Sequence, residues 1–165
     1  MNPTEVLVLA FLIGVVAGLR ALTAPAVVAW AAHRGWLDLI HSRLYFMGTT
    51  AALVLFVVLA LIELVTDQLP GTPSRTKPAG LIARIVLGGL CGACIAAAGA
   101  QSAGFGALLG AAGGVAGAFA GYEVRARLVK ALQVRDFVVA TLEDAVAIGG
   151  GVWIVARFAA LLFRR

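Results

Sequence analysis

The feature that most constrains this chain is an apolar run over residues 5–32, interrupted by Arg20 and Pro25. Its 28 positions would reach roughly 42 Å as one helix. The hydrocarbon core of a bilayer is only roughly 30 Å thick. The run is therefore too long for one straight crossing. Pro25 removes a helical hydrogen bond and clashes with the preceding turn. The sequence predicts a break near Arg20 to Pro25, followed by a second short helix over about 26–34, re-entrant or at the interface.

Four more apolar stretches follow, at about 47–65, 81–100, 103–121 and 137–163. Each is near the roughly 20 residues of a membrane helix. None alternates with the two-residue period of a barrel strand, and in lipid the backbone must satisfy itself, so all are read as helices. Composition agrees. The chain is 62% hydrophobic and 13% charged, against roughly 45–50% and 25% in soluble domains. Its mean hydropathy is +1.01. A chain of 165 residues has too little interior to hide that much apolar surface. A soluble globular enzyme and a disordered chain are excluded. The expected fold is an all-α integral membrane protein, a single domain over 1–165 with about five transmembrane helices, the first of them broken.

The net charge is +5. Its basic residues lie between apolar segments without aromatic interleaving, which argues against nucleic acid. Contact with anionic lipid headgroups and orientation by positive loops explain them better. With five crossings, the N-terminal side collects Arg75, Lys77, Arg125, Arg127, Lys130 and Arg135, and the other side Arg34, Arg43, Arg164 and Arg165. This count predicts a cytoplasmic N-terminus. The first nineteen residues hold no Lys or Arg, so the segment lacks the n-region of a signal peptide and is expected to stay in the mature chain.

Charges inside apolar segments cost roughly 2.5–3.5 kcal/mol each at mid-membrane, so they call for partners or a wet cavity. Arg20, Glu63, Asp67, Glu143 and Asp144 are the candidate binding or relay residues. Glu63 and Asp67 share a helix face. Glu143 and Asp144 diverge by roughly 100°, so only one aims at a given partner. The expected cluster joins Arg20 to Glu63 or Asp67 and to Glu143 or Asp144. Arg84 and Arg157 are expected to snorkel to an interface. Pro25, Pro70 and Pro73 would shape the mouth of the site.

Glycine crowds the third and fourth stretches. Gly106-x-x-x-Gly110 and Gly117-x-x-x-Gly121 are small-residue faces that let backbones approach, within the chain or across a homo-oligomer seam. Gly14 to Gly18 echoes Gly114 to Gly117, and Glu63 to Asp67 echoes Glu143-Asp144. An inverted repeat is one reading of these echoes. Cys91 and Cys94 have C-x-x-C spacing, but they sit inside an apolar helix with no second pair, where packing outweighs redox chemistry. His33 and His41 lack partners at metal spacing, and no nucleophile elbow, phosphate loop or dinucleotide fingerprint occurs. No metal or cofactor is expected, and no nucleophile-base pair speaks for an enzyme, although one acting on lipid stays open.

Gly18-Leu19-Arg20-Ala21-Leu22-Thr23-Ala24-Pro25-Ala26 resembles the Gly-x-Arg opening of a group of small bacterial membrane proteins that carry a domain of unknown function. Glu63-Leu64-Val65-Thr66-Asp67-Gln68-Leu69-Pro70 resembles their Glu-x-x-x-Asp-x-x-Pro signature. Thr72 to Thr76, Ala83-Arg84-Ile85-Val86-Leu87-Gly88, Val124 to Arg127 and Glu143-Asp144-Ala145 continue the likeness. The resemblance implies a multi-pass protein of the bacterial inner membrane and brings no substrate or catalytic residue. The leading expectation is a transporter or channel for a small solute or ion, using the charged cluster. The alternatives are a thiol oxidoreductase using Cys91 and Cys94, or a non-transporting scaffold in a membrane complex.

Overall fold

A computed structural model describes residues 2–66, 78–133 and 136–163. Among them are six α-helices, one 3₁₀ turn and no strand: α1 (Pro3–Leu19), α2 (Thr23–His33), the turn Tyr45–Gly48, α3 (Thr50–Thr66), α4 (Pro78–Ala98), α5 (Ala103–Leu132) and α6 (Asp136–Phe163). Three of them, α4, α5 and α6, are long and apolar enough to cross a membrane. The shorter α1 and α3 are equally apolar, and at 17 residues each reaches about 25 Å.

Local chemistry sets the boundaries. The Asn2 side chain accepts from the Thr4 N–H at 3.1 Å and Pro3 opens α1, the expected residues for a helix start. Helix α1 stops at Arg20, whose backbone is extended (φ −137°, ψ 112°). Pro25 falls in the first turn of α2, where its missing N–H costs nothing. The break is thus where the sequence placed it, with α2 starting slightly earlier than expected. Gly35, at φ +75°, ends α2 in the left-handed conformation that favours glycine. The Trp36 N–H returns to the Ala31 carbonyl at 2.9 Å, and Trp36 packs edge-on against Trp30 with centroids 4.9 Å apart. Thr49 and Ser102 cap α3 and α5 through their hydroxyls. Helix α5 runs on to Leu132, past the expected stop near Gly121, because residues 122–132 are good helix formers and Arg127 pairs with Glu123 one turn back at 2.8 Å.

Contacts between helices give their directions. Glu5 meets Arg157, Val16 lies against Gly151 and Arg20 meets Asp144, so α1 and α6 are antiparallel. Val27 of α2 also meets Gly151, and Gly48 lies against Ala32. Helix α2 therefore runs back toward the end where α1 began. The first apolar stretch leaves one end of the bundle and returns to it. Six helices alternate in direction where five crossings were expected, because the Arg20–Leu22 break is tight enough to reverse the chain.

The centre is a trio of α1, α4 and α5 built on glycine. A Cβ on Gly18 would come within 2.5 Å of the Gly114 carbonyl oxygen, and one on Gly88 within 2.7 Å of the Gly110 oxygen. Gly14 and Gly92 also face the Gly110 backbone, which makes Gly110 the point where all three helices touch. The glycine echo seen in the sequence thus meets in space. It meets between helices that run parallel, since Gly14 faces Gly110 and Gly18 faces Gly114 and Gly117. An inverted relation between α1 and α5 is not what the packing contains, because the reversal at the break adds one helix between them.

The outer surface is apolar. Leu55, Val58, Leu61, Ile62 and Val65 of α3 are exposed, as are Leu108 and Phe119 of α5 and Leu142, Val146 and Trp153 of α6. Large apolar side chains outside and backbone-to-backbone contact inside invert the soluble pattern.

Candidate functional site at the helix break

Among the described residues the buried charged side chains are Arg20, Arg84 and Asp144, at 2%, 7% and 6% exposure. All three converge on the break between α1 and α2. The backbone reversal presents the last carbonyls of α1 and the first N–H groups of α2, which a continuous helix would have satisfied internally. Each exposed end finds an opposite charge. Glu63, near the end of α3, accepts from the Ala21 N–H through Oε1 and from the Leu22 N–H through Oε2, both at 2.9 Å. Arg84, in the second turn of α4, donates Nε to the Gly18 carbonyl at 3.0 Å and Nη1 to its own helix at Gly80. A carboxylate thus faces the positive end of α2 and a guanidinium the negative end of α1.

Arg20 completes the node. Its Nη2 donates to Asp144 Oδ1 of α6 in a buried ion pair, and its Nη1 donates to the Glu63 backbone carbonyl at 3.3 Å. One side chain therefore ties the break to both α3 and α6. Two guanidiniums and two carboxylates balance within the node. Such balance is what makes charge tolerable at low dielectric, because each ion recovers part of its desolvation cost from its partner.

The structure sorts the expected residues. Arg20, Glu63 and Asp144 come together. Glu143 does not join them: it turns to Arg125 of α5 at 3.6 Å, the divergence expected of adjacent helical residues. Asp67, Pro70 and Pro73 lie outside the described residues. Pro25 is buried in the first turn of α2 and shapes the break itself. Cys91 and Cys94 are fully buried among core residues shared with α1 and α6, so geometry lends no support to thiol exchange with a partner. Gly106, Gly110 and Gly117 pack within the chain, while Gly121 is buried beside a groove between α5 and α6.

Arg84 does not snorkel as the sequence predicts, but is buried and bonds to the Gly18 carbonyl. It lies four residues before Gly88 and eight before Gly92, on the same face of α4 that packs into the glycine trio. That spacing was the available signal. A long side chain on a seam face cannot reach an interface, and it bonds to the nearest free carbonyl. Arg157 is half-exposed and pairs with Glu5 at 3.4 Å, at the opposite end of the bundle.

The match to known proteins is decided over nearly the whole chain: residues 7–163 fit the model of a family described as a domain of unknown function, DUF4126. The chain belongs to that family. No curated protein and no solved structure matches it. The family domain takes in both sides of the break and every residue of the node, and leaves out Glu5 of the peripheral pair.

Proposed function

We propose that this DUF4126 protein is a multi-pass protein of the bacterial inner membrane that passes a small solute or ion at the α1–α2 break. One observation carries the reading. A helix breaks at a buried arginine inside an otherwise apolar bundle, and four charges gather there, Glu63 and Arg84 on the freed peptide ends and Arg20 with Asp144 in an ion pair. Apolar residues of similar volume would hold such helices together at equal or lower cost. Broken helices with charged partners are how transporters build polar sites at membrane depth, and ionisable groups there mark pathways unusually often.

We also propose an orientation opposite to the one the loop count predicts. The N-terminus lies at the end that carries Arg34 and Arg43, opposite the end where α5 displays Arg125, Arg127 and Lys130. By the positive-inside tendency the break and the basic end face the cytoplasm, and the N-terminus faces outward. Any second copy would meet the chain through faces other than the one holding Gly106, Gly110 and Gly117.

Purified protein in liposomes tests the transport reading against a panel of small ions and neutral solutes. We expect flux above that of empty liposomes for at least one of them. It should fall by about tenfold, roughly 1.4 kcal/mol, in Glu63→Gln, which keeps the side-chain shape and one acceptor. Wild-type flux at background across the panel, or undiminished flux in the variant, overturns it. A second reading has a specific support: both Glu63 oxygens are spent on backbone N–H groups. In that reading the node is a clamp that only fixes the fold.

A further inference from the structure

Two kinds of glycine occur in the bundle. On the seam, Gly18, Gly88 and Gly114 each have a neighbouring backbone within 2.5–2.7 Å of where a Cβ would stand. Close approach leaves them no alternative to glycine. The run Gly149-Gly150-Gly151, in the middle of α6, is of another kind. A Cβ on Gly149 would meet nothing, one on Gly150 a Val16 methyl at 3.8 Å, and one on Gly151 the Val27 side chain at 3.4 Å. All three positions have room for alanine. Successive helix positions also point roughly 100° apart, so no single contact surface requires three in a row. Glycine is the costliest helix residue after proline, because its backbone gives up the most freedom. Packing does not explain why α6 carries three.

The run divides α6 into unlike halves. Beyond it, Ile154, Val155 and Phe158 are buried in the core shared with α1 and α2. Ahead of it, among the described residues, the helix gives that core Ala147, while Asp144 pairs with Arg20 and Glu143 with Arg125. Helix α6 packs mainly on α1 and α2 and lightly on α5. A groove of about 220 Å³ between α5 and α6 lies against the first half, on Val139, Leu142, Glu143 and Val146, which leaves that half room to move toward α5. Neighbouring glycines are among the few causes of a sharp helix bend. We infer that Gly149 to Gly151 form a hinge, about which the first half of α6 swings into this groove. Arg20 stays where the glycine seam holds α1, so the swing draws Asp144 off its partner. The ion pair is then the latch of the straight state seen here, in which α6 is unbroken from Asp136 to Phe163. That the bend opens the node to a solute rests on the transport reading; the bend itself does not.

Val138 stands about 18 Å along the helix from Gly150. A bend of about 20° carries it about 6 Å. The test places spin labels on the full chain in liposomes through Val138→Cys in α6 and Ala116→Cys in α5, both at exposed positions. Pulsed electron paramagnetic resonance reads their separation. Cys91 and Cys94 are buried and stay unlabelled. We expect two separations about 6 Å apart. The pair Ala160→Cys with Ala116→Cys, beyond the hinge, should show one. Replacing all three glycines by alanine should leave the Val138 pair a single separation. It should also raise the melting temperature in detergent by about 2–4 °C per substitution. Gly149→Ala alone, where the space is open, should act in the same direction. A single separation with the glycines in place, two separations that survive the three alanines, or a melting temperature that falls in Gly149→Ala overturns the hinge. Two separations in a chain that passes no solute sink the transport reading alone. Flux through a chain with one separation sinks the hinge alone.

Discussion

Helix α1 is held in two different ways along its length. From Phe11 to Gly18 it lies backbone to backbone against α5, with glycine on both sides of the contact. From Arg20 onward it is held by charge, through Asp144, Glu63 and Arg84. The two regions adjoin, but they tolerate opposite kinds of change. The seam depends on dispersion between surfaces with no room for a methyl group, so it is indifferent to charge and intolerant of volume. The node has side chains long enough to adjust their reach, but it cannot lose one sign without stranding the other in a dry interior.

The comparison breaks first at Gly110. A valine there would drive its side chain into the Gly88 and Gly92 backbones, and backbone cannot yield as a side-chain tip can. We expect Gly110→Val to cost more than about 4 kcal/mol and to abolish the monodisperse peak on size exclusion. A variant that stays monodisperse with unchanged thermal stability would show that the seam is looser than described. At the node, Asp144→Asn leaves the Arg20 guanidinium buried without its counter-charge, at a cost of about 3–5 kcal/mol. The double variant Arg20→Met with Asp144→Leu should recover most of that loss, because neither charge is then stranded. Thermal unfolding of both variants in detergent checks this, and equal stabilities would remove the coupling. Flux in the stable double variant also separates the two readings of the node. Transport should be lost if the charges serve the pathway and kept if they only clamp it.

The smallest effect concerns the turn that returns α4 to α5. Ala100 holds a left-handed backbone, φ 56°, while the Gln101 N–H closes the helix end onto the Ala96 carbonyl at 2.8 Å. A Cβ in that conformation costs roughly 1–2 kcal/mol. Ala100→Gly should therefore raise the melting temperature by about 2–4 °C, and an unchanged or lower value would place the strain elsewhere.

Much of the node was legible in advance. Arg20, Glu63 and Asp144 stood out because an ion in an apolar run demands a partner, and their convergence followed from that demand. Arg84 was missed because the same cost argument admits two outcomes, a buried partner or a snorkelling side chain. Only its register on the glycine face of α4 distinguishes them. The path of α2 stays open between re-entrant and interfacial for a related reason. Pro25 predicts that the helix breaks, but a broken helix can continue, lie flat or fold back. The choice was made by Glu63 and Arg84, which come from two other helices to satisfy the freed peptide ends.

Residue chemistry alone made the chain helical and apolar, dense with glycine at its contacts, with buried charges that must pair. These are local consequences of hydrophobic period, missing Cβ atoms and desolvation cost. Which glycine faces which, the parallel run of α1 and α5, and the carboxylate that meets Arg20 were settled by packing in three dimensions. Those outcomes depend on how a three-residue break turns the chain, and a small change in backbone angle there redirects every helix that follows.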